Sequence, residues 1–325
     1  MKRRIFACLV ASFVMAGSTF AQAADTVSLP VAVIGVSVSI WPAIVGKEKG
    51  FFDEEGLHIE ITTAGSSARS LQQVAAGAVD IGSSSMVDTV RAIDAGAELK
   101  TFTNSLAVGT HSLIAAKDIK SIKDLKGKRV MTGGKGDITN LWWGAAARKN
   151  DLDPNRDVEL MFSGSTANRL ASLYAGGIEA TVLSTPQSFQ AIQEGWTDLG
   201  PVAPYLGEFP MMIWHVNTKW AATHEASVVG FVKAHNKAVR YMVDPAHRQE
   251  VSEMLAKASN SSVDDALKTW DLCVQIGAFV ADGSVSPQAI QRVTETLLAS
   301  GDIKPPEKPA AAYYDGHFVE IAKQK

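Results

Sequence analysis

The apolar positions of this chain fall into two regimes. Ile5 to Ala16 is an unbroken apolar run apart from Ser12, preceded by Lys2, Arg3 and Arg4 and followed by the small residues Ala21-Gln22-Ala23. That order predicts a secretory leader over residues 1–23, removed after Ala23 to leave Ala24 as the first residue of an exported, periplasmic protein. The run falls short of the about 20 apolar residues that a membrane span needs. Cys8 lies inside it, where a lipid-attachment cysteine would leave no apolar core in front, so a soluble product is expected. Beyond the leader the apolar runs are short and punctuated. Thr26 to Gly46 has no charge, but Pro30, Gly35, Ser37, Ser39 and Pro42 interrupt it, which predicts a buried strand followed by a loop.

The next signal is a duplication. The segment GSSARSLQQVAAGAVD from Gly65 lies without a gap over GSTANRLASLYAGGIE from Gly164, an offset of 99 residues, and upstream His58 to Ile61 meets Asp157 to Leu160. Each copy reads as strand, Gly-Ser loop, helix, glycine stop and second strand. Leu71, Val74 and Ala75, or Leu170, Leu173 and Tyr174, share one helical face, and Gly77 and Gly176 suit a left-handed terminator. Strands alternating with helices predict parallel pairing in βαβ units. A period this long exceeds the roughly 20 to 50 residues of solenoid repeats, so each copy is one lobe. The predicted fold is therefore α/β, with two lobes that are each a mostly parallel sheet flanked by helices. From about Ala221 the pattern is helical: Val228, Phe231, Val232, His235, Val239 and Met242 form one face, Asp244-Pro245 opens a helix, and Ser286-Pro287 opens another that stops at Gly301.

Composition narrows the function. The formal charge is −3, and losing the three positive leader residues takes it to −6, which offers no basic footprint for nucleic acid. Of two cysteines only Cys273 lies beyond the leader, so no intramolecular disulfide is expected, and Cys273 reads as a small core residue. The seven histidines are scattered, and none of the metalloprotease, nucleophile-elbow or P-loop signatures occurs. Neither catalysis nor a cofactor is expected.

Ligands of open parallel sheets sit beyond the carboxyl ends of strands, where loops enter helices. Five such loops are rich in Ser, Thr and Gly: Ser37 to Pro42, Gly65 to Ser67, Gly82 to Ser85, Thr132 to Thr139 and Ser184 to Pro186. Free amides at helix starts, joined by hydroxyls, suit an anionic group. The candidate ligand contacts are Ser39, Trp41, Ser66, Ser84, Ser85, Gly134, Lys135, Asp137, Thr139 and Thr185. Trp41, placed in the first loop, is favoured over Trp142 and Trp143 as an apolar wall, while Arg69 and Arg169 read as surface residues. Ser84, Ser85 and Thr139 are expected to matter more for affinity than for stability, with helix capping as the competing role.

Three stretches, WPAIVGKEKGFFDEEGLHIEI from Trp41, LQQVAAGAVDIGSSS from Leu71 and SIKDLKGKRV from Ser121, followed by the loop GGKGDIT, resemble the nitrate, sulfonate and taurine type of ABC-importer binding protein, called SsuA-like. The resemblance covers roughly residues 28 to 215. It implies the two-lobed periplasmic binding fold of type II, with lobe 1 over 24–108 plus 208–325 and lobe 2 over 109–207. The chain is then expected to cross near Ala107 to Thr110 and near Tyr205 to Phe209. It also implies a monomer that takes a small organic anion to a permease and its ATPase. Two rivals stay open on the sequence: the related branch that makes the thiamine pyrimidine, whose cysteine-rich motif this chain lacks, and a sensory receptor.

Overall fold

The computed structural model describes residues 26–206 and 209–324. The expected leader lies outside the described residues. Two five-stranded mixed sheets organise the chain, each flanked by helices. The first has the order β2-β1-β3-β10-β4, with β1 Val27–Val33, β2 Leu57–Thr63, β3 Ile81–Ser85, β4 Leu99–Leu106 and β10 Met212–Asn217. The second has the order β7-β6-β8-β5-β9, with β5 Ser112–Ala115, β6 Arg129–Thr132, β7 Glu159–Phe162, β8 Ala180–Leu183 and β9 Thr197–Pro201.

The two sheets share one plan. β1 pairs in parallel with β2 and β3, and β6 does the same with β7 and β8. Val31 faces Ile81 in one sheet and Val130 faces Ala180 in the other, so the register itself repeats at the offset of the sequence duplication. In each sheet the first strand after a crossing, β10 or β5, is the fourth member and lies antiparallel to both neighbours, β3 and β4 or β8 and β9. That placement makes the sheets mixed: the chain arrives from the other sheet and enters the new one against the direction of its βαβ strands. The crossings run from Ala107 to His111 and from Val202 to Met211, the second passing through residues 207 and 208, which are not described.

Helices α1 Trp41–Glu48, α2 Phe51–Glu54, α3 Ser67–Ala75 and α4 Met86–Asp94 belong to the first sheet, and α5 Ile138–Lys149, α6 Thr166–Tyr174 and α7 Gln187–Gln193 to the second. α3 and α6 occupy equivalent positions of the duplication and begin alike. Ser66 caps α3 by accepting from the Arg69 amide at 3.3 Å, and Ser165 caps α6 by accepting from the Asn168 amide at 3.2 Å. Both end at a left-handed glycine, Gly77 at φ 70° and Gly176 at φ 68°, a conformation that would strain a side chain. Leu71 and Val74 on α3, and Leu170 and Leu173 on α6, are buried against their sheets as the helical spacing predicts.

The remaining helices are α8 Thr218–Thr223, α9 Glu225–Val243, α10 Arg248–Ser259, α11 Val263–Gln275, α12 Pro287–Ala299 and α13 His317–Lys323. They return to the first sheet. Phe231 of α9 meets Phe52, Phe102 and Trp214 with ring centroids 5.2, 5.7 and 5.1 Å away, the first tilted and the other two edge-on, an aromatic cluster that adds directional packing to apolar burial. Ser286 caps α12, and Gly301 turns left-handed just beyond its end. Cys273 is buried in this packing, and burial pushes its thiol well above the usual range. Among the described residues, no helix is long and apolar enough to cross a membrane.

Candidate functional site

A cavity of about 410 Å³ lies where the two sheets present the carboxyl ends of β1, β3, β6 and β8 to each other. Four helices begin at it. Ser67 of α3 and Ser85, the N-cap of α4, approach from the first sheet, while Asp137 to Thr139 at the start of α5 and Ser165 to Ala167 at the start of α6 approach from the second. Their convergence sums several positive helix ends on one volume, each worth roughly 0.3–1 kcal/mol to an anion and more when partly buried. Ile34, Val38, Leu106, Ile138 and Met212 supply apolar walls.

The positive side chain among the cavity's described lining residues is Arg169, which the sequence pattern assigns to the surface. Arg169 is only 2 % exposed and lines the cavity. Its Nε donates to the Val182 carbonyl at 3.0 Å, Nη1 to the carbonyls of Ser163 and Gly164 at 2.9 and 3.0 Å, and Nη2 to the Thr166 hydroxyl at 3.2 Å. These use four of the five guanidinium N–H groups, leaving one donor on Nη2. Among the described residues no carboxylate forms an ion pair with it. Burial pulls its pKa down to about 10, while the charge of Asp137 acts in the opposite sense. The correction has a local cause: on a nine-residue helix the 169 position faces the sheet beside Leu170, and the surrounding carbonyls solvate the charge in place of water.

His111 also lines the cavity. Burial, reinforced by the charge of Arg169, pushes its pKa down to about 3, so it is a neutral hydrogen-bonding group. Its Nδ1 is buried without a partner among the described residues, and so is Oε1 of the lining residue Gln187. Buried polar atoms without partners are uncommon because desolvation costs about 1–3 kcal/mol each. Here they offer a ligand one group that either donates or accepts and one that accepts. Asp88, behind Ser85, has its pKa raised to about 6 by burial and then by the charge of Asp137.

The candidate residues divide. Ser39, Ser85, Asp137 and Thr139 line the cavity, whereas Trp41, Ser66, Ser84, Gly134, Lys135 and Thr185 do not. Trp41 is fully buried at the start of α1, not in the loop, and borders a small void with Met242, Trp270 and Cys273. Trp143 is also core, and Trp142 faces a different cavity. Lys135 is exposed. Ser66 caps α3, and the Thr185 hydroxyl donates to Thr110 at 3.1 Å. The carbonyl of Gly134 accepts the amides of Gly136 and Asp137.

The hydroxyls at the centre of the expected site already have partners. Ser84 Oγ lies 2.7 Å from Thr89 Oγ1 and 2.9 Å from His215 Nδ1, all buried. Ser85 accepts from the Asp88 amide at 3.1 Å and donates to the Asp88 carboxylate at 2.7 Å. Thr139 accepts the Gly133 amide at 2.7 Å and donates to Asp137. Ser39 shares a hydroxyl bond with Ser37 at 3.0 Å.

The two sheets touch across the cavity. A Cβ on Gly164 would lie 2.5 Å from the Gly65 carbonyl oxygen and 2.9 Å from the Ser66 Cβ, so the two duplicated Gly-Ser loops press on each other. Gln187 donates to the Val36 carbonyl at 3.4 Å, and Arg91 of α4 donates to the Gly136 carbonyl in the loop before α5.

A family model described as "NMT1/THI5 like" matches residues 37–248. YtlA of Bacillus subtilis strain 168 is 24 % identical over 275 residues, which is 81 % of this chain and 80 % of YtlA. Among solved structures, the alkanesulfonate-binding protein SsuA of Xanthomonas axonopodis pv. citri bound to MOPS is similar with a TM-score of 0.72 at 17 % identity, covering 90 % of this chain and 99 % of that one. The periplasmic nitrate-binding protein NrtA of Synechocystis PCC 6803 is similar with a TM-score of 0.78 at 13 % identity, covering 91 % and 88 %. These likenesses carry the type II periplasmic binding fold.

Proposed function

Because the chain belongs to the NMT1/THI5-like family, we propose that it is the periplasmic solute receptor of an ABC importer, closing on a small organic anion between two lobes. The lobes are 24–108 with 208–325, and 109–207, hinged at the crossings between the sheets; the loaded receptor delivers its cargo to a permease and its ATPase. The observation that carries this reading is Arg169, a buried cation without an ion-pair partner among the described residues, in a cavity onto which four helices open from both sides. The ligand completes what those groups lack. SsuA and NrtA, binding proteins by their names, give two ligand classes to weigh, a sulfonate and nitrate. The cavity favours the first: at about 410 Å³ with apolar walls, it leaves most of its volume unfilled around a bare inorganic ion.

A catalytic reading has less support. Ser84 and His215 form a Ser–His pair, but both are fully buried and neither lines the cavity. At the cavity, Ser85 and Thr139 donate to the carboxylates of Asp88 and Asp137, and the Ser85 hydroxyl and the Asp137 carboxylate accept the amides of Asp88 and Thr139, the arrangement of helix caps.

Native mass spectrometry of the protein purified from the periplasm should show a carried small anion. Calorimetry against an alkanesulfonate, an aromatic carboxylate and nitrate should rank an organic anion first. Binding should reduce the radius of gyration in small-angle scattering, because groups from both lobes must reach one ligand. Preference for nitrate would overturn the ligand class, and an unchanged radius the shared cleft.

A further inference from the structure

A second cavity, of about 510 Å³, lies between the two crossing segments and the stretch leading into α12. Its walls include Val108 from the first crossing, Phe209 and Pro210 from the second, Trp142 from α5 and Val285 from the stretch before α12. It differs in kind from the anion cavity. None of its described lining residues is ionisable, so none of them supplies a counter-charge to a charged group that loses its hydration on entering. Two polar side-chain atoms of lining residues are nevertheless buried without partners among the described residues: Oδ1 of Asn104, which is 4 % exposed, and Nε1 of Trp142, which is 1 % exposed. One is an acceptor and the other a donor. An apolar void that needed no ligand would be satisfied by aliphatic residues at both positions, and leaving two such groups bare costs more than that arrangement would.

We propose that this cavity is a second ligand site, taking a small uncharged molecule that is mostly apolar and carries a hydroxyl or amide to pair with Asn104 Oδ1 and Trp142 Nε1. A hydroxyl suits either group, since it donates and accepts. Trp142 also joins this site to the first. Its ring centroid is 5.0 Å from that of His111, which lines the anion cavity on the other side. The occupant thus lies one aromatic layer from the anion site, in the seam where the chain passes between sheets.

Cyclohexanol is a suitable probe, with cyclohexylammonium as a charged molecule of the same shape. In protein labelled with 15N at tryptophan, the Trp142 indole N–H resonance, assigned by its loss in Trp142→Phe, should move saturably with cyclohexanol and not with cyclohexylammonium. Ala289 lines the cavity from α12 and is not fully buried, so Ala289→Phe fills the space from a tolerant position and should weaken the probe at least tenfold. Val108→Trp, from an exposed position on another wall, should do the same if Ala289→Phe fails to fold. An indole resonance that does not respond to cyclohexanol up to its solubility, responds equally to the cation, or still responds in the filled variants would overturn the proposal.

Discussion

The two copies of the duplication match in backbone and differ in where each holds its one arginine, exposed at Arg69 and buried at Arg169. α3 and α6 begin with a serine cap, bury equivalent leucines and stop at equivalent left-handed glycines. At the equivalent position facing each sheet, however, the first copy has Ser70, which donates to the Ala32 carbonyl at 3.4 Å, and the second has Arg169. A serine there closes a local hydrogen bond. The arginine, solvated by four protein oxygens, adds a full positive charge to a cavity whose lining also holds helix ends, hydroxyls, apolar walls and the Asp137 carboxylate. Duplication thus supplies two matching walls, and this one difference within the pattern puts a buried positive charge on the second wall alone.

The largest expected effect tests that asymmetry directly. Arg169→Met should weaken binding of the best organic anion by about tenfold to a hundredfold, the worth of a hydrogen bond to a charged group at roughly 1.5–3 kcal/mol. Ser70→Ala, at the equivalent position, should leave affinity within about twofold, because its hydroxyl is bonded to backbone away from the ligand. Calorimetric titration of both variants decides it, and thermal melts without ligand separate a lost contact from a loosened loop. A lower melting point with intact affinity for Arg169→Met would reduce the arginine to a structural tie for the carbonyls of Ser163 and Gly164.

An intermediate effect is expected where the copies meet. In Gly164→Ala the added methyl strikes the Gly65 carbonyl and Ser66, backbone and cap of the other lobe, so it should obstruct closure and lower affinity several-fold while the unliganded melting point stays near wild type. Gly65 has φ 84°, with its nearest obstacle an arginine side chain 3.7 Å away. Gly65→Ala should therefore cost about 1 kcal/mol of stability or more through backbone strain. Equal melting points with equal affinities in the two variants would show that the loops do not meet when ligand is held.

Much of this architecture is legible in the order of residues alone. The gapless offset predicts α3, α6 and their glycine stops, because such terminators act within a few residues of the chain, whereas Ser66, expected to meet the ligand, caps α3 instead. The five Ser- and Gly-rich loops come from the same local chemistry, and the cavity is lined by residues of each. What the sequence does not show is the direction of individual side chains. Trp41 stands where the loop would be if α1 started later, but the helix begins at Trp41 itself and turns the indole into the core. Arg169 lacks an apolar signature, although its alignment with the sheet-facing Ser70 is a usable clue. Hydroxyls at Ser84, Ser85 and Thr139 are of the right type in the right loops. Whether each is free depends on tertiary partners such as His215, more than a hundred residues away from Ser84. Their bonds weigh toward stability as the property each alanine substitution would lower.

The smallest effect compares positions where the copies remain alike. Ser66 and Ser165 each accept the amide three residues on, at 3.3 and 3.2 Å, and losing such a cap costs about 0.5–2 kcal/mol. For a chain of this size, 1 kcal/mol corresponds to roughly 2–4 °C in melting temperature or less. Ser66→Ala and Ser165→Ala should therefore melt a few degrees low by similar amounts. They should differ in binding, because Ser165 lines the anion cavity and Ser66 does not. A cap hydroxyl that also meets a ligand contributes on top of its capping role, so Ser165→Ala should lose a further factor of about two to five in affinity while Ser66→Ala loses none. Parallel melts and titrations of the pair read both quantities on one footing. Matching losses of affinity would mean that the ligand feels only the loops' order, and that the second copy carries no contact at Ser165.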